Sequence, residues 1–194
     1  MEQFYEKNYQ QYFNETFEID PHVFLSPLVT ELNPNAKILD IGCGSGRDML
    51  WLKNKGYKLT GFEQSHGLAQ LAQNYSGCSV VEGDFNTFDF SSLSFDALLL
   101  IGAMVHITKS NFPKVFKSTR NALSLGGLIL ITMKEGIGIS SNPDGRIFTL
   151  WQKTDLETIF FNDNLRILYF SRQISKLRSS DVWLTYLLKN TEIV

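Results

Sequence analysis

Lys37-Ile38-Leu39-Asp40-Ile41-Gly42-Cys43-Gly44-Ser45-Gly46-Arg47-Asp48 runs from a short apolar strand pattern into a turn with glycine at three alternate positions. After it, Met49, Leu50 and Leu52 recur at helical spacing up to Lys55, and Gly56 ends the run. A strand entering a glycine turn that opens a helix lets the backbone approach a ligand and aims free N–H groups at it. Tight βα turns also use glycine for steric reasons alone, so the turn needs partners before it marks a ligand site.

Those partners lie at the ends of the next strands. Residues 57–62 read as a second strand ending at Glu63, 21 residues after Gly42 and near the offset at which an acid reaches ribose hydroxyls. Residues 79–82 read as a short third strand running into Gly83-Asp84-Phe85. An Asp there accepts from an exocyclic amine such as that of adenine, and the adjacent Phe packs on a base. All three ends share the carboxyl edge, where open α/β sheets bind ligands. No Gly-Lys-Ser/Thr follows the turn, which excludes a triphosphate-binding loop. The third glycine comes one residue earlier than the dinucleotide fingerprint requires. Asp40, just before the turn, repels a pyrophosphate and suits a ligand carrying an ammonium and a sulfonium.

Working outward, residues 66–75 predict a helix, and 95–101 form the most apolar strand, as expected of one covered on both faces. A helix over 111–123 follows, with Pro113 in its first turn, and Gly126-Gly127 turn the chain into a fifth strand over 128–133. Thr154 reads as the N-cap of a helix through Phe161, with Glu157 completing a capping box. Residues 165–170 and 182–188 read as an antiparallel hairpin. The expected fold class is α/β: a doubly wound, seven-stranded, mostly parallel sheet closed by an antiparallel C-terminal hairpin, with helices on both faces. One domain over 1–194 is expected: a helical cap or lid over 1–34, a cofactor-binding core over 35–135, and a substrate-side loop, helix and hairpin over 136–194. Phe4, Tyr5, Tyr9, Tyr12 and Phe13 space the lid as a helix lying on something apolar.

The glycine segment resembles the S-adenosylmethionine (SAM) signature of the class I, Rossmann-like methyltransferases. The likeness continues through Gly61-Phe62-Glu63-Gln64-Ser65, Gly83-Asp84-Phe85, Ser94-Phe95-Asp96-Ala97 and Leu125-Gly126-Gly127, in order and spacing over about residues 35–135. It implies SAM as cofactor and S-adenosylhomocysteine (SAH) as product. It also implies that Gly42 and Gly44 approach the methionine moiety, that Glu63 holds the ribose and that Asp84 faces adenine. Asp40, Cys43, Gln64, Phe85 and Ile101 complete the expected cofactor set. The family more often carries Asp at the ribose position; Glu63 is a longer carboxylate for the same contact.

Composition bounds the partners. Hydrophobic residues make up 43% and charged residues 20% of 194, ordinary for a globular chain, and 15 Phe, 7 Tyr and 3 Trp supply a large core. The net charge of −2 offers no electrostatic reason to expect nucleic acid; Lys176, Arg178 and Arg172 are the nearest approach to a basic patch and read as a solvated hairpin surface. Cys43 and Cys78 have no metal-ligand or disulfide spacing, so no metal is expected and a reduced compartment fits. No signal peptide or membrane span is apparent, and a cytoplasmic location with no membrane partner is the expectation. Oligomeric state is not legible.

Methyl transfer is an in-line displacement with an activated donor, so positioning supplies much of the rate. His106, a few residues beyond the fourth strand, is the catalytic candidate, against a role hydrogen-bonding a backbone carbonyl to shape its loop. Lys134 and Arg146 are candidate substrate contacts beside a mobile loop over 136–143, with Arg146 alternatively tied to Glu135. Tyr5, Tyr9 and Tyr12 are candidate lid contacts to the acceptor. Trp151 and Trp183 read as core. The leading expectation is a SAM-dependent methyltransferase acting on a small molecule; the alternatives are a non-catalytic SAM-binding module and a nucleotide-cofactor oxidoreductase.

Overall fold

The structure is a computed structural model that describes residues 2–175 and 180–191; Lys176 and Arg178 lie outside them. Three short helices lead in: α1 (Glu2–Lys7), α2 (Tyr9–Thr16) and α3 (His22–Glu31). Then β1 (Lys37–Ile41), α4 (Arg47–Lys53), β2 (Lys58–Glu63), α5 (His66–Ser76), β3 (Ser79–Glu82) and β4 (Phe95–Ile101) alternate. A 3-10 turn (Met104–His106), α6 (Phe112–Arg120), β5 (Leu123–Lys134), β6 (Ile139–Ser141), β7 (Ile147–Thr149), α7 (Lys153–Asn162), β8 (Leu165–Ile174) and β9 (Val182–Asn190) follow.

Seven strands form one sheet in the order β3-β2-β1-β4-β5-β9-β8. The first five pair in parallel, while β9 runs antiparallel to both β5 and β8. This is the doubly wound sheet with a closing C-terminal pair that the alternating pattern predicts. Side chains on a strand alternate between faces, so β4 feeds two cores. Leu98 and Leu100 face Phe112 and Phe116 of α6 and Leu156 and Phe160 of α7. Ala97 and Leu99 face Leu25 and Leu28 of α3 and Leu52 of α4. Each fully buried Leu contributes roughly 2–3 kcal/mol, which is why the central strand carries no polar residue after Asp96.

The chain reverses order beside β1: β2 and β3 lie on one side, β4 onward on the other. A crevice opens at that switch point, outside the carboxyl ends of the strands. The first two helices cover it. They dock on α5 through a stacked Phe13–Phe17 pair at 4.9 Å with Tyr75 edge-on to both, and through the Tyr9 ring over Gly67.

Three local expectations are corrected. Strand β5 begins at Leu123, ahead of Gly126-Gly127, because Leu123 pairs with Phe95 before a register shift absorbs the glycines. Residues 136–143 are no open loop, since 139–141 pair with 147–149 as a small hairpin. Helix α7 starts at Lys153 with Gln152 as N-cap and no side-chain cap, so Thr154 caps nothing. The cause is tertiary: the Trp151 N–H donates to the Lys134 carbonyl at 2.8 Å and sets the entry earlier. Trp151 is core at 1% exposure, whereas Trp183 is half-buried, packed against the core and also lining a cavity.

Candidate functional site

The glycine turn holds its shape through its own backbone. Gly42, Gly44 and Gly46 all have positive φ, at 73°, 53° and 75°. A Cβ on Gly42 would stand 2.7 Å from the Ala103 Cβ, and one on Gly46 would stand 2.9 Å from the Ala72 backbone. The N–H groups of Gly42 and Cys43 both donate to the Phe62 carbonyl, at 2.7 and 3.2 Å, tying the turn to the end of β2.

Glu63 stands where that tie leads. Its Oε2 accepts from the Gly44 N–H at 2.9 Å, and its Oε1 accepts from Gln64 N–H and Ser65 N–H at 2.9 and 3.0 Å. Burial pushes its carboxyl up and the three backbone donors oppose the shift. Behind the turn, Asp40 is 2% exposed and its Oδ2 has no hydrogen-bond partner. Burial, reinforced by the nearby Asp48 carboxylate, holds its pKa well above the usual carboxylate range. Arg47 does not neutralise it, because its guanidinium is engaged bidentately by Asp48 at 2.7 and 3.0 Å.

A cavity of roughly 160 Å³ lies over these groups, walled by Gly42, Gly44, Glu63, Gln64, Phe85 and Ile101 and roofed by Tyr5, Tyr12 and His106. Asn86, Ser65, Leu68, Ala103 and Ile107 also line it. None of these five was singled out from sequence; Asn86 had a signal, lying two residues past Asp84. Asp84 itself stands beside the wall, its Oδ1 accepting from Asn86 N–H and Nδ2 at 2.8 and 2.6 Å. Cys43 lines neither cavity; its N–H donates to the Phe62 carbonyl and its buried thiol packs behind the turn with Met49 and Ala72. A second cavity of roughly 220 Å³ adjoins the first and shares Tyr12, Ile101 and Gly102 with it.

His106 is held on both ring nitrogens. A carbonyl can only accept, so Nδ1 donates to the Ile147 carbonyl at 2.7 Å, and Nε2 accepts from the Tyr5 hydroxyl at 2.9 Å. Burial depresses its pKa to about 4. The carbonyl bond that shapes the loop and the aromatic partner facing the cavity thus occur together. Tyr5 is pushed up from its ordinary value by burial.

The remaining candidates lie outside both cavities. Lys134 is buried against Asp181 at 2.8 Å and over the Phe148 ring at 4.0 Å. Arg146 pairs with Asp144 rather than Glu135, and its guanidinium covers the Phe4 ring at 4.8 Å, clasping the lid. Glu135 is taken by Arg172 at 2.7 Å. Tyr9 packs on Gly67 and faces α5. No cluster of His, Cys, Asp and Glu among the described residues has metal-site geometry, and no described helix is long and apolar enough to cross a membrane.

A glycine turn, an acid at the end of the second strand and a cavity at the sheet's switch point define a nucleotide-cofactor domain of the doubly wound class. Residues 38–127 match the family model described as a methyltransferase domain. The sterol 4-C-methyltransferase strm-1 of Caenorhabditis elegans is 31% identical over 108 residues, covering 52% of this chain and 32% of the relative. The probable tRNA methyltransferase 9B of Mus musculus is 32% identical over 100 residues, covering 50% and 22%. The chain thus spans a third or less of the length of these two relatives. The 1,6-didemethyltoxoflavin-N1-methyltransferase of Burkholderia thailandensis, solved with 1,6-didemethyltoxoflavin and SAH, superposes with a TM-score of 0.74 at 16% identity, over 98% of this chain and 88% of that one. It shares the class I fold.

Proposed function

We propose that this protein transfers the methyl group of SAM to a small-molecule acceptor. The observation that carries the reading is Asp40: a buried acid behind the glycine turn, whose ionisation is costly unless a ligand brings positive charge to the turn. An ammonium-bearing ligand does so, and a pyrophosphate does not. Glu63, already positioned by three backbone donors, offers its oxygens to the ribose hydroxyls once Gly44 N–H is drawn to the ligand. Phe85 and Asn86 supply an apolar face and an amide for the base, with Asp84 fixing the turn that presents them. When bound, SAM supplies an activated methyl on a sulfonium.

The chain's own residues then exclude water and hold a proton acceptor. Tyr5 and Tyr12 roof the cavity, and His106, uncharged near neutral pH, has Nε2 as its basic atom while the Ile147 carbonyl holds the tautomer. A small acceptor is supported by the modest size of the two adjoining cavities and by the net charge of −2. Calorimetry with SAM, SAH and NAD tests the cofactor: SAM and SAH binding is expected, and tighter binding of NAD would overturn the reading. Glu63→Ala is expected to weaken SAM about tenfold or more, the loss of charge-assisted hydrogen bonds. Screening metabolite pools for SAH release then finds the acceptor.

A further inference from the structure

The second cavity has a floor, a flat wall and a roof of different chemistry. Its floor is a rung of the antiparallel pair, where Thr132 of β5 stands opposite Thr185 of β9. Opposed residues of such a pair point to the same face, and both threonines line the cavity although only 5% and 2% exposed. The Thr132 Oγ1 accepts from Gly102 N–H at 2.8 Å, which leaves its own O–H to donate. The Thr185 hydroxyl makes no hydrogen bond among the described residues. The two hydroxyls stand side by side on the cavity floor and together offer a polar edge to a ligand.

The flat wall is Trp183, reached over Gly102, where an added Cβ would stand 3.7 Å from the indole. Phe24, Val23 and Ile101 continue the apolar lining. Arg47, the one cation of the described walls, is engaged by Asp48, so an anionic acceptor meets no unengaged positive charge there. At roughly 220 Å³ the space falls below the ~300–1,000 Å³ typical of drug-sized ligands, which favours an acceptor of one or two fused rings. The cavity meets the cofactor cleft at Ile101 and Gly102, with the Tyr12 ring between them.

We infer that the methyl acceptor is a compact, planar ring compound without negative charge and with a hydrogen-bond-accepting edge, seated with its ring on Trp183 and its polar edge on Thr132 and Thr185. This rests on the methyltransferase reading. Calorimetry on the SAH-saturated protein tests it with 4-quinolone as probe and with phosphoethanolamine and cyclodextrin-solubilised cholesterol as contrasts. The expected result is saturable 4-quinolone binding, weakened about tenfold in Thr185→Val and restored in Thr185→Ser, with SAH affinity unchanged in both. Trp183→Ala is expected to lose the probe altogether. Binding of phosphoethanolamine or cholesterol in place of the quinolone, no probe binding at all, or equal affinity in Thr185→Val overturns the proposal. Failure of SAH itself to bind instead overturns the cofactor reading beneath it.

Discussion

The Tyr5 hydroxyl donates to Nε2 of His106 at 2.9 Å, joining the first helix of the lid to the turn after β4 across 101 positions of chain. The bond closes the cavity over the glycine turn and places the one imidazole of that wall on its basic atom. Tyr5→Phe and His106→Asn are each expected to lower turnover about a hundredfold, the low end of acid–base contributions, with SAH affinity little changed. Because the two act as a unit, the double variant is expected to lose little more than either single one. Full turnover in His106→Asn would reduce the ring to a loop-shaping role. Steady-state SAH release measures all three.

The same ring makes stability depend on pH. His106 has a folded pKa of about 4 against an ordinary value near 6.5, so between these the unfolded chain binds a proton that the folded chain does not. Stability is therefore fully present above pH about 6.5 and falls as pH drops toward 4, by at most about 3 kcal/mol. Urea midpoints for wild type and His106→Asn across that window are expected to converge at low pH. Parallel curves would show that the imidazole is not held neutral.

Asp40 works in the opposite direction. Burial raises its folded pKa, so the folded chain keeps a proton that the unfolded chain releases, and stability declines as pH rises above about 4. Asp40→Asn is expected to raise the melting temperature of the unliganded protein at pH 8 while weakening SAM tenfold or more. Thermal melts with and without SAM read both signs at once. A variant that loses stability without losing affinity would assign Asp40 to the fold alone.

Gly46, the N-cap of α4, lies against the Ala72 backbone of α5. With φ at 75° and the Ala72 backbone 2.9 Å from any added Cβ, Gly46→Ala combines left-handed strain with overlap against an immovable neighbour. It is expected to cost about 2–4 kcal/mol, checked by urea denaturation. An unchanged midpoint would mean that the two helices can part.

Much of the sheet was legible because β-strand burial writes itself into sequence. Leu98, Leu99 and Leu100 can all be apolar only in a strand covered on both faces. The small hairpin at 139–149 was not legible, since Ile139 and Ile147 are 69% and 52% exposed and leave no burial pattern. The start of α7 was misread because a capping box at Thr154 is local, whereas the Trp151–Lys134 backbone bond that sets the start is not. Glu63 and the glycines could be placed from their spacing, because strand, turn and helix lengths carry each residue to the same edge. Asn86, Thr132 and Thr185 could not, since each is an ordinary polar residue until another strand or turn stands beside it.

By itself the sequence determined the cofactor end of this protein. The run from Lys37 to Asp48 writes a strand, a turn of positive-φ glycines and an acid beneath it into consecutive positions. Tertiary structure alone decided the acceptor end. Packing of the first helices across the crevice brings Tyr5 to His106 and Phe4 under Arg146, while pairing of β5 with β9 brings Lys134 to Asp181 and sets Trp183 in a cavity wall. The residues of each of those pairs are separated by tens of residues, and a charge or ring shows its role only when burial has removed its other choices.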